Sequence, residues 1–291
     1  MFTGSMVAIV TPFDRNGRVD EETYRQLIEF QIESGTDCIV PCGTTGESST
    51  LDFEEHHRVI QICIEQVAKR VPVIAGTGAN STAEAVELSL QAKQMGADGL
   101  LLVCPYYNKP SQEGIFQHYK KLAETIALPQ VLYNVPGRTG VNMAADTTIR
   151  LAEIPNIVAI KEASGDLTQV GQILAKAGGK IDVISGDDFL TYPMMAIGAV
   201  GVISVSANAI PKQVKAMVDA TLAGDHLIAR KLHLNLLEFH NAMFIEANPV
   251  PVKTTLGLMG KLNPEVRLPL VGLMPANLEK LKDVLKRYEL I

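Results

Sequence analysis

Eight short apolar runs, each bounded by turn residues, recur along the first three quarters of this 291-residue chain, at 7–10, 38–41, 71–75, 99–104, 131–135, 157–160, 182–185 and 201–205. They are continuous rather than strictly alternating, the pattern expected of parallel strands covered on both faces. Between them lie stretches of helical period. Residues 54–69 repeat apolar side chains at Val59, Ile60, Cys63, Ile64 and Val67, and residues 82–95 do so at Ala85, Val86, Leu88 and Ala92. Strand and helix therefore alternate eight times. That alternation predicts an α/β fold, with a closed (β/α)8 TIM barrel favoured over an open doubly wound sheet. No G-x-G-x-x-G follows the first run, which weakens the dinucleotide-binding form of the open sheet. Beyond Gly224 the strand signal stops, and 227–244, 252–259 and 278–288 read as helices separated by Asn248-Pro249, Pro251 and Pro264. The expected division is a barrel catalytic domain over 1–224 and a C-terminal helical region over 225–291.

With 47% apolar and 20% charged residues the chain can bury a large core, and no segment approaches the roughly 20 apolar residues of a membrane span. A net charge of −6 without a Lys/Arg stripe argues against nucleic acid or an anionic membrane as partner and for small-molecule substrates. The N-terminal residues lack the basic flank and small-residue cleavage site of a signal peptide, so a cytoplasmic location is expected. Cys38, Cys42, Cys63 and Cys104 form no CxxC pair and have no histidine at zinc-ligand spacing. They are expected to be buried small hydrophobes, with neither disulfide nor metal implied.

In such a barrel, reactive groups collect at the carboxyl ends of the strands. The polar ends here are Gly43-Thr44-Thr45-Gly46-Glu47-Ser48, Pro105-Tyr106-Tyr107-Asn108, Gly137-Arg138-Thr139-Gly140, Lys161-Glu162 and Gly186-Asp187-Asp188. Lys161 stands out because it continues the apolar run 157–160. Strand alternation puts Ile157, Ala159 and Lys161 on one face, so if Ala159 points into the barrel the lysine does too. Desolvation lowers a lysine pKa by disfavouring the charged form. At the ordinary value of about 10.4 only roughly 0.04% of the amine is free at pH 7, whereas a pKa near 7 frees about half. A free amine can attack a carbonyl carbon. Taken alone, a buried ion pair with Asp187 or Glu47 fits Lys161 equally well. Tyr133 shares the parity of Val131 and Val135 on the neighbouring strand, where its hydroxyl can shuttle protons during imine formation; alone it also reads as a rim aromatic. Thr44 and Thr45 offer hydroxyls and N–H groups from a glycine-flanked turn, and Arg138 can clamp a carboxylate with paired hydrogen bonds. The set describes an imine-forming site for a keto acid and a second acidic partner. It contains no Ser-His-Asp order, P-loop or H-E-x-x-H helix.

These motifs run nearly the length of the chain, from FTGSMVAIVTPF through GTTGESSTL, VIAGTGAN, PYYNKPSQEG, LYNVPGRTG, IKEASGD, ISGDD and GVISVSAN to NPVPVK. In them the chain resembles the dihydrodipicolinate synthase family of the N-acetylneuraminate lyase superfamily. YNVPGRTG is the discriminating piece, since members acting on sugar acids usually lack its arginine. The resemblance implies a lyase condensing pyruvate with L-aspartate 4-semialdehyde to 4-hydroxy-tetrahydrodipicolinate, on the diaminopimelate route to lysine. It needs no cofactor beyond the covalent imine with pyruvate. By the same resemblance Lys161 forms that imine, and Tyr133 moves protons with Thr44 and Tyr107, the last reaching into a neighbouring subunit's site. Thr45 binds the pyruvate carboxylate, the backbone at Ile203 contacts pyruvate, Gly186 lies with the substrate-binding positions, and Arg138 meets the semialdehyde carboxylate. A homotetramer built as a dimer of dimers is implied.

Ser48, Ser49, His56, Asn80, Glu84 and Tyr106 match positions lining a feedback site for L-lysine in sensitive members, whereas Phe53 stands where a histidine is often found. Glu84 also fits a capping box, Ser81-Thr82-Ala83-Glu84. Two other readings fit the same residues: another pyruvate-dependent aldolase of the superfamily, acting on a sugar acid or hydroxylated keto acid, and a non-catalytic binding module on the same fold.

Overall fold

The computed structural model describes residues 2–291. Its strands are β1 (Gly4–Ala8), β2 (Cys38–Val40), β3 (Ile74–Gly76), β4 (Gly99–Val103), β5 (Gln130–Asn134), β6 (Ile157–Glu162), β7 (Asp182–Ser185) and β8 (Gly201–Ser204). The crossovers carry α1 (Glu21–Glu33), α2 (Phe53–Val67), α3 (Thr82–Met95), α4 (Gln112–Thr125), α5 (Pro136–Thr139), α6 (Ala145–Leu151), α7 (Leu167–Ala177), α8 (Thr191–Ala196) and, after β8, α9 (Pro211–Leu222). Among the described residues the eight strands form one parallel sheet in the order β2-β1-β8-β7-β6-β5-β4-β3. Its two ends meet: Ile39 N donates to Pro72 O at 3.1 Å and Gly76 N to Pro41 O at 2.9 Å, closing the expected (β/α)8 barrel.

Strand side chains divide between two buried layers. Met6, Ala8, Cys38, Val40, Leu101, Val131, Ala159, Ile184 and Ile203 fill the barrel, while Val7, Ile39, Leu100, Leu102, Leu132, Ile160, Val183 and Val202 pack under the helices. Burial on both faces is why the runs lack a polar alternate. One expectation fails locally. Between β5 and β6 the register slips from Gln130↔Ile157 to Val131↔Ala159, so one step on β5 spans two on β6. Such a bulge resets the alternation. Ile157 consequently packs in the helix layer, whereas Ala159 and Lys161 keep the inward face.

Strand bounds shift for identifiable reasons. β1 starts earlier than the apolar run at 7–10, because its opening Gly4 and Ser5 carry no apolar side chain; β8 packs closely against them, and a Cβ on Gly201 would lie 2.2 Å from Gly4 O. β3 starts later than 71–75, since Pro72 has no N–H for a ladder. α3 matches 82–95, but Ser81 merely accepts from Glu84 N at 3.5 Å. The reciprocal capping box belongs to α2, where Asp52 accepts from Glu55 N at 2.8 Å and Glu55 from Asp52 N at 3.2 Å.

After Gly224 come α10 (His226–Ala242), α11 (Val250–Leu258) and α12 (Pro275–Arg287). Leu236, Phe239, Val252, Leu256, Leu281 and Leu285 join the same apolar cluster that lies between barrel and helices. The four cysteines are buried and free, and burial pushes each thiol pKa up. Among the described residues no helix is long and apolar enough to cross a membrane.

Candidate active site

β6 ends in two charged residues that point opposite ways. Glu162 turns outward, where its carboxylate accepts from Asn134 Nδ2, Gln169 Nε2 and Ser164 N at 2.8–3.1 Å. Lys161 turns into the barrel mouth and is 5% exposed. Its ladder partner on β5 is Tyr133, and its Nζ lies 4.4 Å from the centre of that ring. Burial pulls the ammonium down to about 8; the charges of Asp188 and Asp187 oppose that fall, and Arg138 assists it. Of the two carboxylates that could have neutralised Lys161, Glu47 is bound instead by Lys253, at 2.7 Å. Asp187 remains close enough to feel the lysine's charge but is itself pushed up to about 6, first by burial.

The lysine opens into a cavity of about 410 Å³. Thr44, Thr45, Tyr133, Arg138, Gly186 and Asp187 line it with Lys161. Gly186 has a steric role, because a Cβ there would approach Lys161 Cε to 3.2 Å and Ala163 Cβ to 2.7 Å. Burial pushes the Tyr133 phenol up to about 12, against the pull of Arg138 and of a hydrogen bond with the Thr44 side chain. At neutral pH it is therefore a hydroxyl able both to donate and to accept. Arg138 sits on the short α5 and donates from its guanidinium to Asn248 O at 3.2 Å. Ile203 is buried inside the barrel beside these groups, and Val205, two residues on, lines the cavity.

Several lining residues escape a reading of strand ends. Phe244, Ala247 and Asn248 come from the link between α10 and α11, and Asn248 Nδ2 donates to Thr45 Oγ1 at 3.0 Å. The signal available in the sequence was the Asn-Pro break in NPVPVK, which reads as punctuation without its three-dimensional position. Asp188, on the loop after β7, holds the end of β8 by accepting from Ser204 Oγ, Val205 N and Ser206 N at 2.5–3.0 Å.

Tyr107 is placed elsewhere. It is 88% exposed, with φ of 71°, and does not line the Lys161 cavity of its own chain. Next to that cavity, and sharing Thr44, Val135 and Arg138 with it, is a second hollow of about 480 Å³. It is lined by Ser48, Ser49, His56, Glu84 and Tyr106. His56 is buried, its Nε2 3.0 Å from Gly76 O, and burial pulls it down to about 4, so it is neutral at physiological pH. Asn80 does not line this hollow; its backbone contacts Tyr106 and accepts from Asn108 Nδ2 at 2.9 Å. Phe53 lines an adjoining recess with Ser48, His56 and Glu84.

The model of the Dihydrodipicolinate synthetase family matches residues 1–288. The 4-hydroxy-tetrahydrodipicolinate synthase of Syntrophotalea carbinolica is 67% identical over 291 residues, covering 100% of this chain and 99% of its own. Among solved structures, the pyruvate complex of the Acinetobacter baumannii dihydrodipicolinate synthase superposes with a TM-score of 0.98 at 49% identity, covering 100% of both chains. The Cyanidioschyzon merolae enzyme with lysine bound gives 0.96 at 39% identity, over 100% of this chain and 99% of that one.

Proposed function

Because this chain belongs to the dihydrodipicolinate synthetase family, we infer that it is a lyase condensing pyruvate with L-aspartate 4-semialdehyde to 4-hydroxy-tetrahydrodipicolinate, on the diaminopimelate route to lysine. The observation that carries the reading is Lys161 itself: a buried amine with a depressed pKa, stacked on Tyr133 in a cavity that also holds Arg138. The free amine attacks the pyruvate carbonyl carbon. Tyr133 carries a proton from nitrogen to the resulting oxygen, giving the carbinolamine, and then donates a second proton to that hydroxyl, so that it leaves as water and a protonated imine remains. Loss of a methyl proton converts the imine to an enamine, whose carbon bonds to the aldehyde of the second substrate. The aldehyde oxygen takes up a proton as that bond forms. The amino group of the second substrate then attacks the imine carbon, closing the ring and releasing Lys161 as the free amine, with one water lost overall; the imine does the work of a cofactor. Thr44 relays protons from Tyr133, Thr45 receives the pyruvate carboxylate near the Ile203 backbone, Gly186 leaves room for the lysine stem, and Arg138 receives the carboxylate of the semialdehyde.

Three further elements belong to the reading. Tyr107, exposed in one chain, serves the site of a second copy in a homotetramer arranged as a dimer of dimers. L-Lysine acts as a feedback inhibitor in the hollow containing Ser48, Ser49, His56, Glu84 and Tyr106, beside Asn80, in support of which a lysine-bound relative shares the fold. The enzyme works in the cytoplasm.

Borohydride added with pyruvate is expected to leave a stable adduct on the peptide containing Lys161, and Lys161→Ala to lose both the adduct and nearly all turnover. A wild-type protein that traps no pyruvate ends the imine reading. An adduct without consumption of aspartate semialdehyde reassigns the second substrate. Millimolar lysine is expected to slow the wild type and to slow Glu84→Ala less; equal rates with and without lysine refute the inhibitor site.

A further inference from the structure

A fully buried ion pair lies outside the groups the reaction uses. Lys253 Nζ, on α11, donates to Glu47 Oε1 at 2.7 Å, with both side chains almost wholly excluded from solvent. The partners are 206 residues apart in the chain. Glu47 Oε2 accepts from Arg267 N at 3.0 Å, and the ammonium of Lys253 lies 4.1 Å from the centre of the Phe13 ring, which the Arg267 guanidinium also approaches, at 4.3 Å. Burying such a pair brings a desolvation cost that well-packed apolar residues would avoid, so stability alone is a weak reason for it.

Its location supplies another reason. Glu47 has a φ of 55°, the left-handed region that a non-glycine residue enters only when its surroundings hold it there. Its own N–H donates to Thr44 O at 3.1 Å, while Gly46 N and Ser48 N both donate to Gly43 O, at 3.0 and 3.4 Å. Glu47 is thus the far post of the turn that presents Thr44 and Thr45 to the Lys161 cavity. From the same C-terminal segment as Lys253, Asn248 binds Thr45 Oγ1. The turn is held at two points, one on the reacting side and one behind it.

Resting on the imine reading above, we propose that Lys253 and Glu47 are positioning residues: their buried ion pair ties α11 to the Thr44–Thr45 turn and fixes the two hydroxyls where pyruvate and Tyr133 need them. Neither residue lines the Lys161 cavity. Without the pair Glu47 relaxes from its constrained backbone and Thr44 moves with it. A displacement of about an ångström at a reacting centre costs on the order of a hundredfold in rate.

The test compares Lys253→Met, Glu47→Gln and the double variant for kcat, pyruvate KM, half-saturation of borohydride trapping and thermal midpoint. The double variant removes both charges at similar volume and is expected to melt near the wild type. Its kcat/KM for pyruvate is nevertheless expected to stay at least about tenfold down, with weaker trapping. A double variant with wild-type kinetics overturns the proposal, as does activity that follows the folded fraction alone. If Lys253→Met does not fold, Glu47→Gln decides: it keeps the shape and an acceptor for Lys253 but presents no second carboxylate oxygen to Arg267 N. A raised pyruvate KM is then expected, and unchanged constants overturn the inference. Wild-type trapping in the same series separates this outcome from a failure of the imine reading.

Discussion

Lys161 titrates between opposed influences, and that opposition makes its pH dependence predictable. Burial lowers its pKa to about 8, while Asp188 and Asp187 hold it up. If the neutral amine is the nucleophile, as proposed, the rate of pyruvate trapping is expected to rise as pH climbs through about 8 and to level off above it. At pH 7 about a tenth of the amine is then free, roughly 230-fold more than at the ordinary value. Asp187→Asn removes a charge that favours the ammonium, so the midpoint should move to lower pH. A midpoint that stays or rises shows that Asp187 does not act on the lysine through charge. Tyr133→Phe keeps the ring under Lys161 but removes the hydroxyl proposed to carry protons, and turnover should fall by about 10²–10⁴, with the thermal midpoint nearly unchanged. At this scale the sequence was informative because a lysine prolonging an apolar run is chemically out of place. It left the choice between nucleophile and buried pair open because Glu47's partner, Lys253, lies on a distant helix.

Strands and helices carry their own constraints. The alternating layers of the barrel were legible in the eight runs, but the bulge between β5 and β6 was not, because it depends on how two strands register and no residue type marks it. Gly76, at the end of β3, illustrates a requirement set by closure. A Cβ there would fall 2.3 Å from Cys42 O, against backbone that cannot swing aside as a side chain does. Gly76→Ala should therefore destabilise by about 1–3 kcal/mol, read as a lower denaturation midpoint in urea; a neutral effect would mean that the β2–β3 seam yields easily. The cap of α2 predicts a smaller change. Asp52→Ala removes the acceptor for Glu55 N and should cost about 1 kcal/mol, with pyruvate KM unaltered.

For the whole molecule, the placement of Tyr107 leads to a subunit-mixing experiment. If its hydroxyl serves a second copy, Lys161→Ala and Tyr107→Phe chains, each poorly active alone, should regain activity when dissociated and reassembled together. A mixed pair then contains one site with an intact lysine and an intact partner tyrosine. No recovery in verified mixed assemblies would assign Tyr107 to its own chain or to no site. The C-terminal helices show the same dependence on assembly within one chain. Asn248 holds Thr45 from the cavity side and Lys253 holds Glu47 behind the same turn, so the region after Gly224 completes the barrel mouth as well as the core.

The favoured barrel, the lysine on the face of Ala159, the tyrosine on the neighbouring strand and the arginine in the loop beyond it were legible in the residue pattern alone. These follow from periodicity, from parity along single strands and from chemistry misplaced in an apolar run, all of which are local. Tertiary structure decided the resetting of β6 by a bulge, the pairing of Glu47 with Lys253 and the arrival of Asn248 at Thr45. It also put the lysine close enough to Asp187 and Asp188 for their charges to temper its desolvation. Those outcomes depend on distances between segments up to 206 residues apart, which packing sets and the local sequence pattern does not encode.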